Sequence, residues 1–267
     1  MTYKNIFSLK NKTVVLTGAG GYLGSFFANA LADFGADLAL IDVEEKSLAS
    51  IKNKINKLSS VKVKYYCCDI SSKNKVSSTV KKIHNDFNKV DVLINNAQGS
   101  DIYKPFEECT LMDWKRTSSV NEEGLFLISQ SIGKLMSKQI SGGSIIMVSS
   151  IYGIRGPDQR IYENSSFKNK SMGSTAVYSY TKAGIIGLTK YLSTYWSKHS
   201  INVNVITPGG IESSQNDAFK KNYSQRVPLN RMGKPEELIG GIIFLSSDAS
   251  SYITGQNLII DGGLSAW

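Results

Sequence analysis

The sequence predicts a single-domain, doubly wound α/β (Rossmann) fold over residues 1–267, with a seven-stranded parallel sheet and helices on both faces. Three observations carry that expectation. Short β-branched apolar runs alternate with longer amphipathic stretches along most of the chain, the pattern of successive βα units. A glycine-rich turn joins the first apolar run to the first amphipathic stretch. No internal repeat, low-complexity tract or Pro/Gly-rich linker divides the chain. Short connections and right-handed crossovers leave few other topologies.

Residues 14–17 read as the first strand and 22–34 as the helix after the glycine turn. A strand over 37–42 and a lysine-rich helix over 47–58 follow, then a strand over 61–67, a helix over 76–87 and a strand over 90–94. Beyond a loop, 121–137 reads as helix and 144–149 as strand. The rest reads as a long helix over 177–198, a strand over 203–207, a helix over 235–245 and a strand over 258–260. Residues 151–177 break the rhythm, with Gly153, Gly156, Pro157, Gly173 and many polar side chains. A loop that long inside a compact domain is usually functional or disordered.

A chain of 267 residues buries a sizeable core without disulfides or metals. Its three cysteines, Cys67, Cys68 and Cys109, are odd in number and two are adjacent, so they suggest neither a disulfide framework nor a zinc site. His84 and His199 sit in helical stretches without ligand companions, and no metal is expected. No apolar run approaches the roughly 18 residues of a membrane span, and residues 1–12 lack the features of a signal peptide, so a cytoplasmic protein without membrane contact is expected. The net charge of +9 comes mainly from lysines scattered along helical stretches, such as Lys46, Lys52, Lys54 and Lys57. That is a solvated-face pattern, so no nucleic-acid partner is expected, and an anionic small substrate would account for the charge.

The turn Thr17-Gly18-Ala19-Gly20-Gly21-Tyr22-Leu23-Gly24 lies between a strand and a helix. Glycines there let backbone N–H groups approach a pyrophosphate at a helix N-terminus. Asp42 ends the second strand, 24 positions after Gly18. A carboxylate there accepts hydrogen bonds from the adenosine ribose and repels a 2′-phosphate, which favours NAD over NADP. Tyr178 and Lys182 stand four apart on one predicted helix face. A tyrosine hydroxyl of ordinary pKa about 10 is a poor base at neutral pH, and a neighbouring ammonium lowers it toward a working acid/base.

Together with Asn95-Asn96-Ala97 and Val148-Ser149-Ser150, these motifs resemble the short-chain dehydrogenase/reductase family over almost the whole chain. The resemblance implies an oxidoreductase with Tyr178 as acid/base and Ser150 as the substrate-orienting serine, adjacent Ser149 being its competitor. It implies that Lys182 also holds the nicotinamide ribose and that Asn121 supports a proton-relay water. Cofactor contacts are implied for Gly18, Gly20, Gly21, Tyr22, Leu23, Gly24, Asp42, Asp69, Ile70, Asn96, Ala97, Tyr178 and Lys182. The segment Pro208-Gly209-Gly210-Ile211 would meet the nicotinamide carboxamide. A homodimer or homotetramer is implied, with the helix of Tyr178 packing on its mate, and apolar Ile185, Ile186 and Leu188 could serve that face.

Three departures stand out. Tyr22 replaces a family glycine, so the loop fits a Gly-x-x-Gly-x-x-Gly form through Gly18, Gly21 and Gly24, as in sugar-nucleotide members. Gln98 stands where the family usually has glycine. Ser150 and Tyr178 are separated by 27 residues, more than twice the usual interval. Both ends of that insertion are pinned at the reaction centre, so it is expected to form a lid or wall over the substrate. Within it Tyr152 and Tyr162 could stack on a sugar, and Arg155 or Arg160 could engage an anion. The expected reaction interconverts a secondary alcohol and a carbonyl, on a sugar or nucleotide-sugar of a bacterial surface-glycan pathway. An epimerase or dehydratase and a catalytically silent NAD-binding sensor are the alternatives. The first normally carries a sizeable C-terminal substrate domain, and the second has no need of Ser150, Tyr178, Lys182 and Asn121.

Overall fold

Strand β1, Thr13–Thr17, is buried at every position, as a central strand of a parallel sheet must be when helices cover both faces. It belongs to a computed structural model that describes residues 5–99, 103–168 and 170–267; the first four residues of the N-terminal reading and Asn169 of the insertion lie outside it. Helix α1 (Tyr22–Asp33) leads to β2 (Asp37–Asp42), α2 (Glu45–Leu58) to β3 (Val63–Cys67), and α3 (Lys73–Phe87) to β4 (Val92–Asn95). Then come α4 (Leu111–Ser118), α5 (Leu125–Met136), β5 (Gly143–Val148), a two-residue antiparallel ladder of β6 (Ser166–Phe167) and β7 (Lys170–Ser171), and α6 (Ala176–Tyr195). Strand β8 (Ile201–Pro208), α7 (Asp217–Ser224), α8 (Ile239–Ser246) and β9 (Asn257–Ile260) complete the chain.

The main sheet runs β3-β2-β1-β4-β5-β8-β9 with every neighbour parallel, the doubly wound order the sequence predicts. The chain reverses its direction of travel across the sheet between β1 and β4, and ligands of such sheets bind in the crevice at the strand C-termini there. Two apolar layers sandwich the sheet. One joins Phe27 and Leu31 of α1 and Ile51 of α2 to Ile242 of α8. The other joins Ile83 of α3 and Ile128 of α5 to Ile185 and Leu192 of α6.

Several expected boundaries differ. The helix read over 121–137 is preceded by α4, whose N-terminus is closed by a capping box of Thr110 with Asp113, and the two are joined by a π-helical turn over Ser119–Gly124. The helix read over 177–198 ends at Tyr195 and the rest is a 3-10 turn. Its interface reading changes as well. Ile185 is buried within the chain's own core and is unavailable to a partner, whereas Tyr191 and Tyr195 are exposed on the same helix. The insertion, without periodicity in the sequence, is held by tertiary packing. Ile151 and Ile161 join Phe219 and Tyr223 of α7, Val227, Met232 and Leu264 in a third apolar cluster. Among the described residues no helix is long and apolar enough to cross a membrane, and no cluster of three or more His, Cys, Asp and Glu could hold a metal ion.

Candidate active site

The glycine turn leaves β1 through Gly18, whose φ of +64° lies in the left-handed region where a side chain is strained. A Cβ on Gly24 would approach the Gly18 carbonyl oxygen to 2.0 Å, so the first turn of α1 packs directly on the loop. Gly21 caps α1 without a side-chain hydrogen bond, which leaves the first-turn amides of the helix for a ligand. Thr17 ties the loop to β4: its hydroxyl donates to the Ile94 carbonyl and accepts from the Asn96 and Ala97 amides. The Asn96 side-chain amide donates to the Thr17 and Gly18 carbonyls.

Asp42 closes β2 beside this turn. One carboxylate oxygen accepts from the Gly20 amide at 2.9 Å and the other from the Val43 amide at 2.7 Å. Asp42, Asp69, Ile70, Ala97 and Gln98 line one cavity of about 200 Å³ together with Gly18. The Ser71 hydroxyl and amide both donate to Asp69 and hold its carboxyl below the usual range. A tight glycine turn, uncapped helix amides and a carboxylate at the next strand end fit a dinucleotide laid across β1 and β2.

The second half of the site lies at the ends of β4, β5 and β8. Lys182 is 3% exposed, and its ammonium donates to the Val148 carbonyl at 3.0 Å. Burial lowers its pKa from 10.5 to about 8. The same Nζ lies 5.7 Å from the centre of the Tyr178 ring, one helical turn earlier. The two serines divide their work. The Ser149 hydroxyl donates to the Lys182 carbonyl at 2.7 Å and fastens β5 to α6, whereas Ser150 accepts from the Tyr152 amide at the start of a 3-10 turn. Asn121 sits in the π-helical turn, accepts from the Gly99 amide and donates to the Thr181 hydroxyl, which in turn donates to the Tyr178 carbonyl. A π turn re-aims side chains that a regular helix would carry elsewhere, and such turns are frequent at functional sites.

The insertion brings Tyr152 to the site, its ring 6.5 Å from that of Tyr178 and edge-on to it. The Tyr162 hydroxyl donates to that of Tyr152 at 2.9 Å, and burial pushes both phenols up, Tyr162 to about 12. Arg155 donates to the Leu264 carbonyl. Arg160 forms a two-pronged pair with Asp158, which also binds Arg226, and the two guanidinium groups hold the Asp158 carboxyl well below its usual range. Arg160 thus pairs with Asp158 on the exposed side of the insertion, whereas Arg155, also exposed, binds the protein through a single guanidinium nitrogen. Pro208 ends β8 and Gly209 to Ile211 follow it, and Gly209, Gly210 and Ile211 line a second cavity with Asp261.

Sequence reasoning missed Thr17, which knits the turn to β4, and Thr181, which links Asn121 to α6. Thr181 falls inside the Tyr178–Lys182 segment, and its position there was the available signal.

A crevice at the strand C-termini that suits a dinucleotide, beside half-buried Tyr178 and buried Lys182, defines the class, a dinucleotide-dependent α/β oxidoreductase. Comparison with known proteins narrows it. Residues 18–265 match a family model described as enoyl-(acyl carrier protein) reductase. The 3-oxoacyl-[acyl-carrier-protein] reductase of Thermotoga maritima is 33% identical over 263 residues, covering 96% of this chain and 98% of that protein. The ribulose-forming D-arabinitol 2-dehydrogenase of Candida tropicalis is 31% identical over 294 residues, covering 100% and 98%. A short-chain dehydrogenase of Leptospira borgpetersenii with bound NAD+ superposes with a TM-score of 0.85 at 35% identity, covering 99% of this chain and 97% of that one. The chain belongs to the short-chain dehydrogenase/reductase family and is an oxidoreductase acting on CH–OH groups. The family binds NAD(P), and solved relatives include complexes of both forms.

Proposed function

We propose that this protein is an NAD(H)-dependent dehydrogenase that interconverts a secondary alcohol and a ketone on a polyol or sugar-derived substrate. The observation that carries the reading is the Lys182 ammonium, buried against β5 and one helical turn from Tyr178. A desolvated cation there favours phenolate over phenol, so the Tyr178 hydroxyl can take up or release the substrate's hydroxyl proton. Ser150 would hold the substrate oxygen, and Asn121, through Thr181 and the Tyr178 carbonyl, would keep the catalytic helix in place. Lys182 would also bind the nicotinamide ribose. When bound, the nicotinamide ring accepts or supplies the hydride.

The preference for NAD rests on Asp42. A 2′-phosphate would meet a carboxylate already fixed by the Gly20 and Val43 amides. The substrate class rests on Tyr152, whose ring stands edge-on to Tyr178, and on Tyr162, hydrogen-bonded to it, a pair that suits hydroxyl-rich ligands. The polyol activity in the name of the Candida relative agrees with this, and a sugar unit of a surface-glycan pathway falls in the same chemistry. A cytoplasmic homo-oligomer with exposed Tyr191 and Tyr195 at its interface completes the proposal. The test is a panel of pentitols, hexitols, ketoses, nucleotide sugars and 3-oxoacyl thioesters, each assayed at 340 nm with NAD(H) and NADP(H). Turnover confined to acyl thioesters would overturn the substrate class, and faster turnover with NADP(H) the cofactor preference.

A further inference from the structure

Tyr22 occupies the loop position where the family has glycine, and the dinucleotide reading gives its side chain no task. It is half exposed at the start of α1, edge-on to Phe26 with ring centres 5.5 Å apart. Its hydroxyl donates to the Glu212 carbonyl at 2.8 Å, across 190 positions of sequence. Glu212 lies just beyond β8, in the segment that begins Pro208-Gly209-Gly210-Ile211. That segment is itself held: the Glu212 amide donates to the Gly233 carbonyl, and the Glu212 carboxylate binds Lys220 of α7 at 2.8 Å.

The topology makes this bond a bridge. In the sheet β1 and β8 are separated by β4 and β5, about 14 Å at the usual strand spacing. A bond from Tyr22, the first residue of α1, to the segment after β8 therefore joins the two walls, glycine turn and post-β8 segment, between which a dinucleotide would lie. A glycine at position 22 could not make it.

We propose that Tyr22 is a clasp residue, whose hydroxyl bond to Glu212 bars the cofactor crevice and must break each time a dinucleotide enters or leaves. This rests on the assignment of the crevice to NAD(P), with no commitment to NAD over NADP. A gate slows entry and exit alike, whereas a direct cofactor contact slows exit alone. Tyr22→Phe keeps the ring and removes the bond. A single neutral hydrogen bond corresponds to about threefold to tenfold in rate.

The test is stopped-flow association and displacement of NADH and of NADPH, with wild type and Tyr22→Phe. Both rate constants should rise about threefold to tenfold in the variant, with Kd held within about twofold. Amides of residues 209–216 should exchange faster with deuterium in the cofactor-free variant. Unchanged rates, or a faster exit with Kd weakened in proportion, would overturn the clasp. Wild type that binds only NADPH overturns the NAD preference instead, and the clasp then stands or falls on the NADPH rate constants.

Discussion

Replacing Lys182 by methionine should reveal what the buried ammonium costs the fold. In the folded chain burial lowers its pKa from 10.5 to about 8, equivalent to about 3 kcal/mol against the charged form. The unfolded chain then holds more protons than the folded one between pH 8 and 10.5. The Lys182 contribution to stability therefore rises with pH across that window. From pH 7 to pH 10 the gain should be about 2 kcal/mol relative to Lys182→Met, which has no group to titrate there. Loss of the donor to the Val148 carbonyl adds a cost of about 1–3 kcal/mol at both pH values, so it cancels from the comparison. Urea denaturation of both proteins at pH 7 and pH 10 measures the difference. Turnover should collapse in the variant at either pH. A stability difference that is the same at the two pH values would refute the reasoning, because the lysine would then carry no desolvation cost.

Asp42→Ala should narrow the gap between NADH and NADPH affinities by removing the carboxylate beside Gly20, and fluorescence titration of both nucleotides reads it; an unchanged ratio would move the selectivity elsewhere. Ile161→Ala should cost about 2–4 kcal/mol in urea denaturation, since Ile161 is 3% exposed in the cluster that anchors the insertion on α7; a loss below 1 kcal/mol would mean that the insertion does not depend on that packing. Light scattering should find an oligomer that Tyr191→Glu weakens, whereas a monomer at micromolar concentration would reject the assembly.

Most of the frame was legible in the sequence because its signals are local. The glycine turn, the apolar strands and the four-residue step from Tyr178 to Lys182 each follow from backbone geometry. Helix α7 was not legible. Its eight residues are mostly polar, and its two buried rings, Phe219 and Tyr223, face an insertion whose own fold has no period. Helix α4 did carry a readable start, since Thr110 and Asp113 have the spacing of a capping box. The π turn at Asn121 leaves no comparable trace, because no residue spacing distinguishes its wider hydrogen-bonded turn from a regular helix. Ser149 and Ser150 could not be separated by sequence, and it is the bond from Ser149 to the Lys182 carbonyl that distinguishes them. The pairing of Arg160 with Asp158 is two residues long and was readable, yet the third partner, Arg226, comes from just beyond α7. Ile185 fits the apolar stripe of α6 equally well inside or outside, and only the packing on the sheet places it inside.

The central claim is that Tyr178 carries the substrate proton. The most direct measurement is steady-state turnover of Tyr178→Phe on the best substrate of the panel, with NADH affinity measured in parallel and Tyr180→Phe as control. A fall of at least about 10²–10⁴-fold in kcat is expected with NADH binding retained, and little change in the control. Turnover by Tyr178→Phe within a few-fold of wild type would contradict it.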